Sequence, residues 1–118
     1  MRPEGGNEAH LWDMRDAAVR LLRIMSGVSH ERYATDEVYR LAAERLLQNI
    51  GEAARRLPTE FRGEHPKIAW QSIIGQRNIL VHEYGEVDAE LVWRTLSHDV
   101  DDLVRRLDPL ISVDPEAK

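Results

Sequence analysis

The stretch WQSIIGQRNILVHEYG, residues 70–85, decides how the rest of the chain is read. Steps of three or four residues from Trp70 give Ile73, Ile74, Arg77, Val81 and Tyr84, the spacing of one face of an α-helix. Nothing in it alternates with period two, and Gly85 supplies a stop, because glycine enters left-handed backbone cheaply. Arg77 interrupts the apolar row. A guanidinium on a buried face costs free energy unless it is satisfied. Arg77 is therefore expected to snorkel to water, to pair with an acid such as Glu52, or to face a polar cleft. A second row, Gln71, Gly75, Asn78 and His82, shares one narrow sector. Gly75 in mid-helix is unfavourable by about 1 kcal/mol relative to alanine, which predicts the close approach of another helix or a ligand. Arg77 and His82 themselves point about 140° apart on an ideal helix, too far apart for an obvious single-chain site.

Working outward, the same periodicity predicts three more helices. The first runs from about Glu8 to Ser26 on a stripe of Leu11, Met14, Ala18, Leu21, Met25 and Val28, with Gly27 as its stop. Residues 29–35 have room for a short helical turn. The second opens on Asp36, a good N-cap, and ends before Pro58. Tyr39, Ala43, Leu46, Ile50, Ala53 and Leu57 form its apolar stripe, while Arg45, Asn49, Glu52 and Arg56 share another face. Glu52 is expected to serve as a structural partner for Arg45 or Arg56. A loop containing Gly63 is predicted between Pro58 and Pro66, and the helix containing Arg77 starts near Pro66 or Trp70. The fourth opens on Asp88 and carries Val92, Leu96, Leu103, Leu107 and Leu110 to about Ile111. The expected fold is all-α: an up-down four-helix bundle, with a short extra helix allowed. It forms one domain over residues 1–118, with a core at about 8–111 and loose ends.

Bulk properties narrow the functions. A hydrophobic share of 42% and a charged share of 31% are those of an ordered globular chain. The net charge of −5 argues against a surface that coats nucleic acid broadly, but it leaves room for a local basic pocket. Of the sixteen basic residues only Lys67 and Lys118 are lysines, so arginine, the better bidentate partner of phosphate, dominates. Without cysteine there is no disulfide framework and no thiolate metal site. His10, His30, His65 and His98 lack metal-ligand spacing and are expected at the surface, so neither a metal nor a cofactor is expected. Trp70 and Trp93 are expected as core or interface anchors, and Trp12 as exposed. No apolar run approaches a membrane span and no leader peptide is evident, so the expected location is the cytoplasm.

Chemically, His82 can take or return a proton near neutrality, and the fork of Arg77 can stabilise charge on phosphate oxygens. Asn78, one turn before His82, can support either. RNA carries its own nucleophile, the 2′-hydroxyl, so these groups suffice in principle for phosphodiester cleavage without a metal.

Arg77-Asn78-Ile79-Leu80-Val81-His82-Glu83-Tyr84 has the pattern R-x-x-x-x-H-x-Y. Together with HLWDMRDAAVRLL (10–22), RLLQNIGEAARRLP (45–58) and HPKIAWQSIIGQRNILVHEYGEVDAELVW (65–93), it resembles the HepT-type toxins of the HEPN superfamily. The resemblance implies a homodimeric HEPN bundle of four or five helices, in which two motif copies meet at one cleft. It implies a metal-independent ribonuclease toxin with Arg77 and His82 as the catalytic pair, and tRNA as a target. It further implies a partner, a minimal nucleotidyltransferase antitoxin of the MNT type, that transfers AMP from ATP onto Tyr84 and so blocks the RNA site. Every motif position is filled. A dimer would also bring Arg77 of one chain near His82 of the other. Two other functions are compatible with the same helices. One is a non-catalytic HEPN module that binds a nucleotide or pairs with a nucleotidyltransferase; the other is a purely structural helical dimer.

Overall fold

The computed structural model describes residues 2–82 and 89–111, with the side chains of residues 78–82 outside the described set. Its elements are α1 (Gly6–Met25), α2 (His30–Thr35), α3 (Glu37–Arg55), α4 (Thr59–Glu64), α5 (Trp70–His82), α6 (Ala89–Arg94), a π-helical turn (Thr95–Asp99), α7 (Val100–Leu107) and a closing 3-10 turn (Asp108–Leu110). The described residues contain no strand, so the chain is all-α as expected. No helix among them is long and apolar enough to cross a membrane.

The local chemistry explains most of the breaks. Gly27 follows α1 at φ 78°, a backbone conformation that other residues rarely adopt. The Ser29 hydroxyl accepts a hydrogen bond from the Arg32 amide at 3.0 Å and opens α2. Asp36 then ends α2 and caps α3, accepting from the Val38 amide at 3.0 Å. The expected loop after Pro58 is instead α4. Pro58 stands immediately before its first turn, where a missing N–H costs nothing. Phe61 packs on the core and sets its ring 4.6 Å from that of His65, and this burial outweighs the cost of Gly63. α5 begins at Trp70 rather than Pro66, and the buried indole donates to the His65 carbonyl at 2.9 Å. The proposed stop at Gly85 and the cap at Asp88 lie outside the described residues.

The expected fourth helix is a rod with a widened turn. Val92, Leu96 and Val100 recur every four residues, and each such step overshoots an α-turn by about 40°. The π turn over Thr95–Asp99 absorbs that drift, and all three side chains stay buried. Thr95 and Ser97 hydroxyls donate to the Leu91 and Trp93 carbonyls at 3.2 and 2.8 Å, back-bonds of a kind that bend helices.

α3 is central: α1 packs along one side of it, α5 crosses another, and α7 rests on α1. The core joins Leu11, Met14 and Leu21 of α1 to Leu47 and Ile50 of α3, and to Leu103 and Leu107 of α7. Each such side chain contributes about 1.5–3 kcal/mol on burial. Tyr33, only 1% exposed, lies 5.4 Å from the Trp93 ring, and His30 stacks on that indole at 5.0 Å. The Tyr33 hydroxyl has no hydrogen-bond partner among the described residues. Burial, helped by the charge of Glu44 and opposed by that of Arg40, pushes its pKa up to about 12. Trp12 is half-buried rather than exposed.

A candidate site where α5 crosses α3

α3 and α5 meet tightly at Gly51. A Cβ there would collide with Cβ of Arg77, stand 2.9 Å from its Cγ and 3.0 Å from the Ile73 carbonyl oxygen. Gly51 therefore lets the stem of Arg77 lie directly on the α3 backbone. Its neighbour Glu52 then takes the guanidinium, with Nη2 of Arg77 at 2.8 Å from Oε2. Of the three fates open to Arg77, pairing with Glu52 is the one realised. The Arg77 side chain is 14% exposed and that of Glu52 30%, so the pair sits at the edge of the core.

Glu52 is also held on its other oxygen. Arg55 donates to Oε1 at 3.1 Å, and Arg56 lies 3.6 Å from the same atom. The partnership expected with Arg56 is present, but Arg55 and Arg77 are the shorter contacts. Hydrogen bonding from Arg55, with the positive charges of Arg55, Arg77 and Arg56, holds the Glu52 carboxyl below the usual carboxylate value, against a smaller opposing effect of burial. Arg45, Asn49, Glu52 and Arg56 do share one face, as the spacing predicts. With Asp13, Asp16 and Arg20 of α1 they line a polar cleft of about 430 Å³.

Gly75 behaves differently from expectation. Nothing lies within 4 Å of the position a Cβ would take there, so no helix of this chain makes the close approach. Gly75 instead borders a groove of about 620 Å³ between α3, α5 and the α6–α7 rod. Its floor is Leu47, Ile50, Ile73, Val92 and Leu103. On its rim Gln76 donates to the Thr95 hydroxyl at 3.1 Å. Leu91, at the groove's edge, is 44% exposed.

α5 is helical through both Arg77 and His82, so the five-residue interval turns them about 140° apart along one continuous helix. The side chains of Asn78 and His82 lie outside the described residues, as does Tyr84. Sequence reasoning did not single out Gly51 or Arg55. Gly51 carried a signal, since a glycine in the interior of α3 has the same intrinsic cost as Gly75. Arg55 carried none beyond its charge.

The profile of the Ribonuclease HepT-like family matches residues 14–110, and the chain belongs to that family. A protein of Caldanaerobacter subterraneus whose name marks it as a candidate RNase is 35% identical over 91 residues, covering 77% of this chain and 81% of that one. A similarly named protein of Methanocaldococcus jannaschii is 31% identical over 93 residues, 79% of this chain and 85% of its own. A Thermococcus cleftensis protein named as a probable ribonuclease HepT is 29% identical over 101 residues, 86% of this chain and 92% of that one. No solved structure gives a significant match. Family membership classes the chain as an RNA-cleaving enzyme.

Proposed function

We propose that this protein is a metal-independent ribonuclease toxin whose site is shared between two copies of the chain. In the proposed reaction the 2′-hydroxyl of RNA attacks the adjacent phosphorus. His82 takes or returns the proton, and Arg77 holds the non-bridging oxygens as charge builds on them. The leaving 5′-oxygen is protonated, so the products are a 2′,3′-cyclic phosphate and a 5′-hydroxyl. Asn78 supports the pair from the row that also carries His82. The substrate is RNA, with tRNA the first candidate.

One observation carries the two-chain reading. Arg77 is fixed on a continuous helix that turns His82 about 140° away from it. Regulation follows the HEPN/MNT arrangement: a nucleotidyltransferase antitoxin of the MNT type places AMP on Tyr84, and the added negative charge and bulk exclude the RNA phosphate. The protein acts in the cytoplasm, where its RNA is.

Mixing separately inactive Arg77→Ala and His82→Ala chains tests the shared site. Exchange of chains regenerates one intact site per mixed dimer and restores cleavage. Mixtures that stay inactive, although the chains exchange, refute it. Intact mass after co-expression with an encoded nucleotidyltransferase tests the switch: one or more AMP increments on Tyr84 are expected, and an unmodified chain beside an active transferase contradicts it.

A further inference from the structure

We infer that Glu52 is the positioning residue of the cleavage site, setting the plane in which Arg77 presents its guanidinium to the scissile phosphate. The inference rests on the proposed catalytic role of Arg77. A guanidinium carries five N–H donors in a rigid fork, so a hold on one of its nitrogens, with the stem fixed, constrains the directions of the others. Oε2 of Glu52 holds Nη2 of Arg77 at 2.8 Å. The carboxylate is itself steadied from the far side by Arg55 at 3.1 Å and Arg56 at 3.6 Å. It cannot simply follow Arg77 when the arginine meets a phosphate. The stem of Arg77 is fixed as well, because it lies on Gly51, where a Cβ would collide with it.

Charge points the same way. Three guanidinia around one carboxylate leave a surplus of two positive charges (three minus one) at this spot, in a chain whose net charge is −5. A carboxylate beside a phosphate site would otherwise repel the substrate. Here it is outnumbered, so it can orient Arg77 while the cluster still attracts the RNA backbone.

Steady-state cleavage of a short defined RNA by Glu52→Gln tests this, with the folded fraction set by far-ultraviolet circular dichroism. Gln keeps the shape and loses the charge. The expected result is a kcat lower by roughly tenfold to a hundredfold, the scale for a misplaced reacting group, with KM changed less than about twofold. In an Arg77→Lys background, which lacks the fork, the same substitution costs little further. A merely structural role would lower the melting temperature and leave kcat per folded molecule unchanged. Glu52→Asp, one methylene short, carries the same test if Glu52→Gln does not fold, and an intermediate kcat is expected. Parent-like kcat in the folded variant overturns the inference, as does a rise in kcat, which would make Glu52 a competitor for Arg77. If Arg77→Ala itself cleaves normally, the failure lies in the proposed site; if Arg77→Ala is inactive while Glu52→Gln is normal, only the positioning role falls.

Discussion

Replacing Gly51 by alanine puts a methyl group where α3 and α5 meet, and the atoms it strikes are stiff. Cβ of Arg77 lies in the way, Cγ stands at 2.9 Å, and the Ile73 carbonyl oxygen at 3.0 Å. None of these is the free end of a flexible side chain, so α5 itself must move. Overpacking of this kind costs about 1–3 kcal/mol. Alanine recovers about 1 kcal/mol of helix propensity, and displacement of Arg77 loosens its pair with Glu52. The net expectation is a loss of about 1–2 kcal/mol. With unfolding entropy near 2.1 cal/mol/K per residue, 1 kcal/mol is roughly 4 °C in a chain this long, so Tm should fall by about 4–8 °C. Urea titration and thermal melts followed by circular dichroism measure it, and RNA cleavage should fall alongside, because Arg77 is carried on the displaced surface. Gly75→Ala is the internal control: with nothing within 4 Å, the isolated protomer should gain about 1 kcal/mol. A Gly51→Ala protein as stable as the parent, or a protomer weakened by Gly75→Ala, would show that the helix crossing is not packed as described.

The remaining predictions concern the frame around the site. Tyr33→Phe removes a buried hydroxyl that has no partner among the described residues, and should raise stability by about 1 kcal/mol in urea titration. The same residue sets an alkaline limit. Its pKa is raised from 10.0 to about 12 in the fold, so the unfolded chain loses that proton first. The fold is therefore unaffected by this group below pH 10 and loses stability as pH rises from 10 through 12, and Tyr33→Phe should flatten that part of a Tm-against-pH curve. Asp36→Ala deletes the cap on the Val38 amide and should cost about 1 kcal/mol; a melt unchanged within error would mean the cap contributes nothing.

How much of this was legible in the sequence depends on how local each cause is. Gly27 and Asp36 act on their own turns, and both mark helix ends where expected. Pro58 and Gly63 look like loop signals, yet α4 forms because Phe61 finds a place on the core, which no local signal reports. The π turn was hidden for a related reason: a four-residue apolar period in Val92, Leu96 and Val100 has meaning only once all three must reach one core. Arg77 could be flagged as misplaced in an apolar row, but its partner was one of several acids until the helix crossing was known. The two mid-helix glycines make the same point. Gly51 and Gly75 carry equal intrinsic penalties, and only the packing shows that one is filled by Arg77 while the other faces open space. The motif over residues 77–84 was readable at once, because it is contiguous.

Under the proposed function the protein cleaves RNA through Arg77 and His82 without a metal. Incubating purified protein with RNA in excess EDTA, and comparing it with folded Arg77→Ala and His82→Ala, tests that most directly. Cleavage to 2′,3′-cyclic phosphate ends is expected of the parent, with a loss of at least about a hundredfold in each variant. Cleavage that needs a divalent ion, or that persists undiminished in His82→Ala, would contradict it.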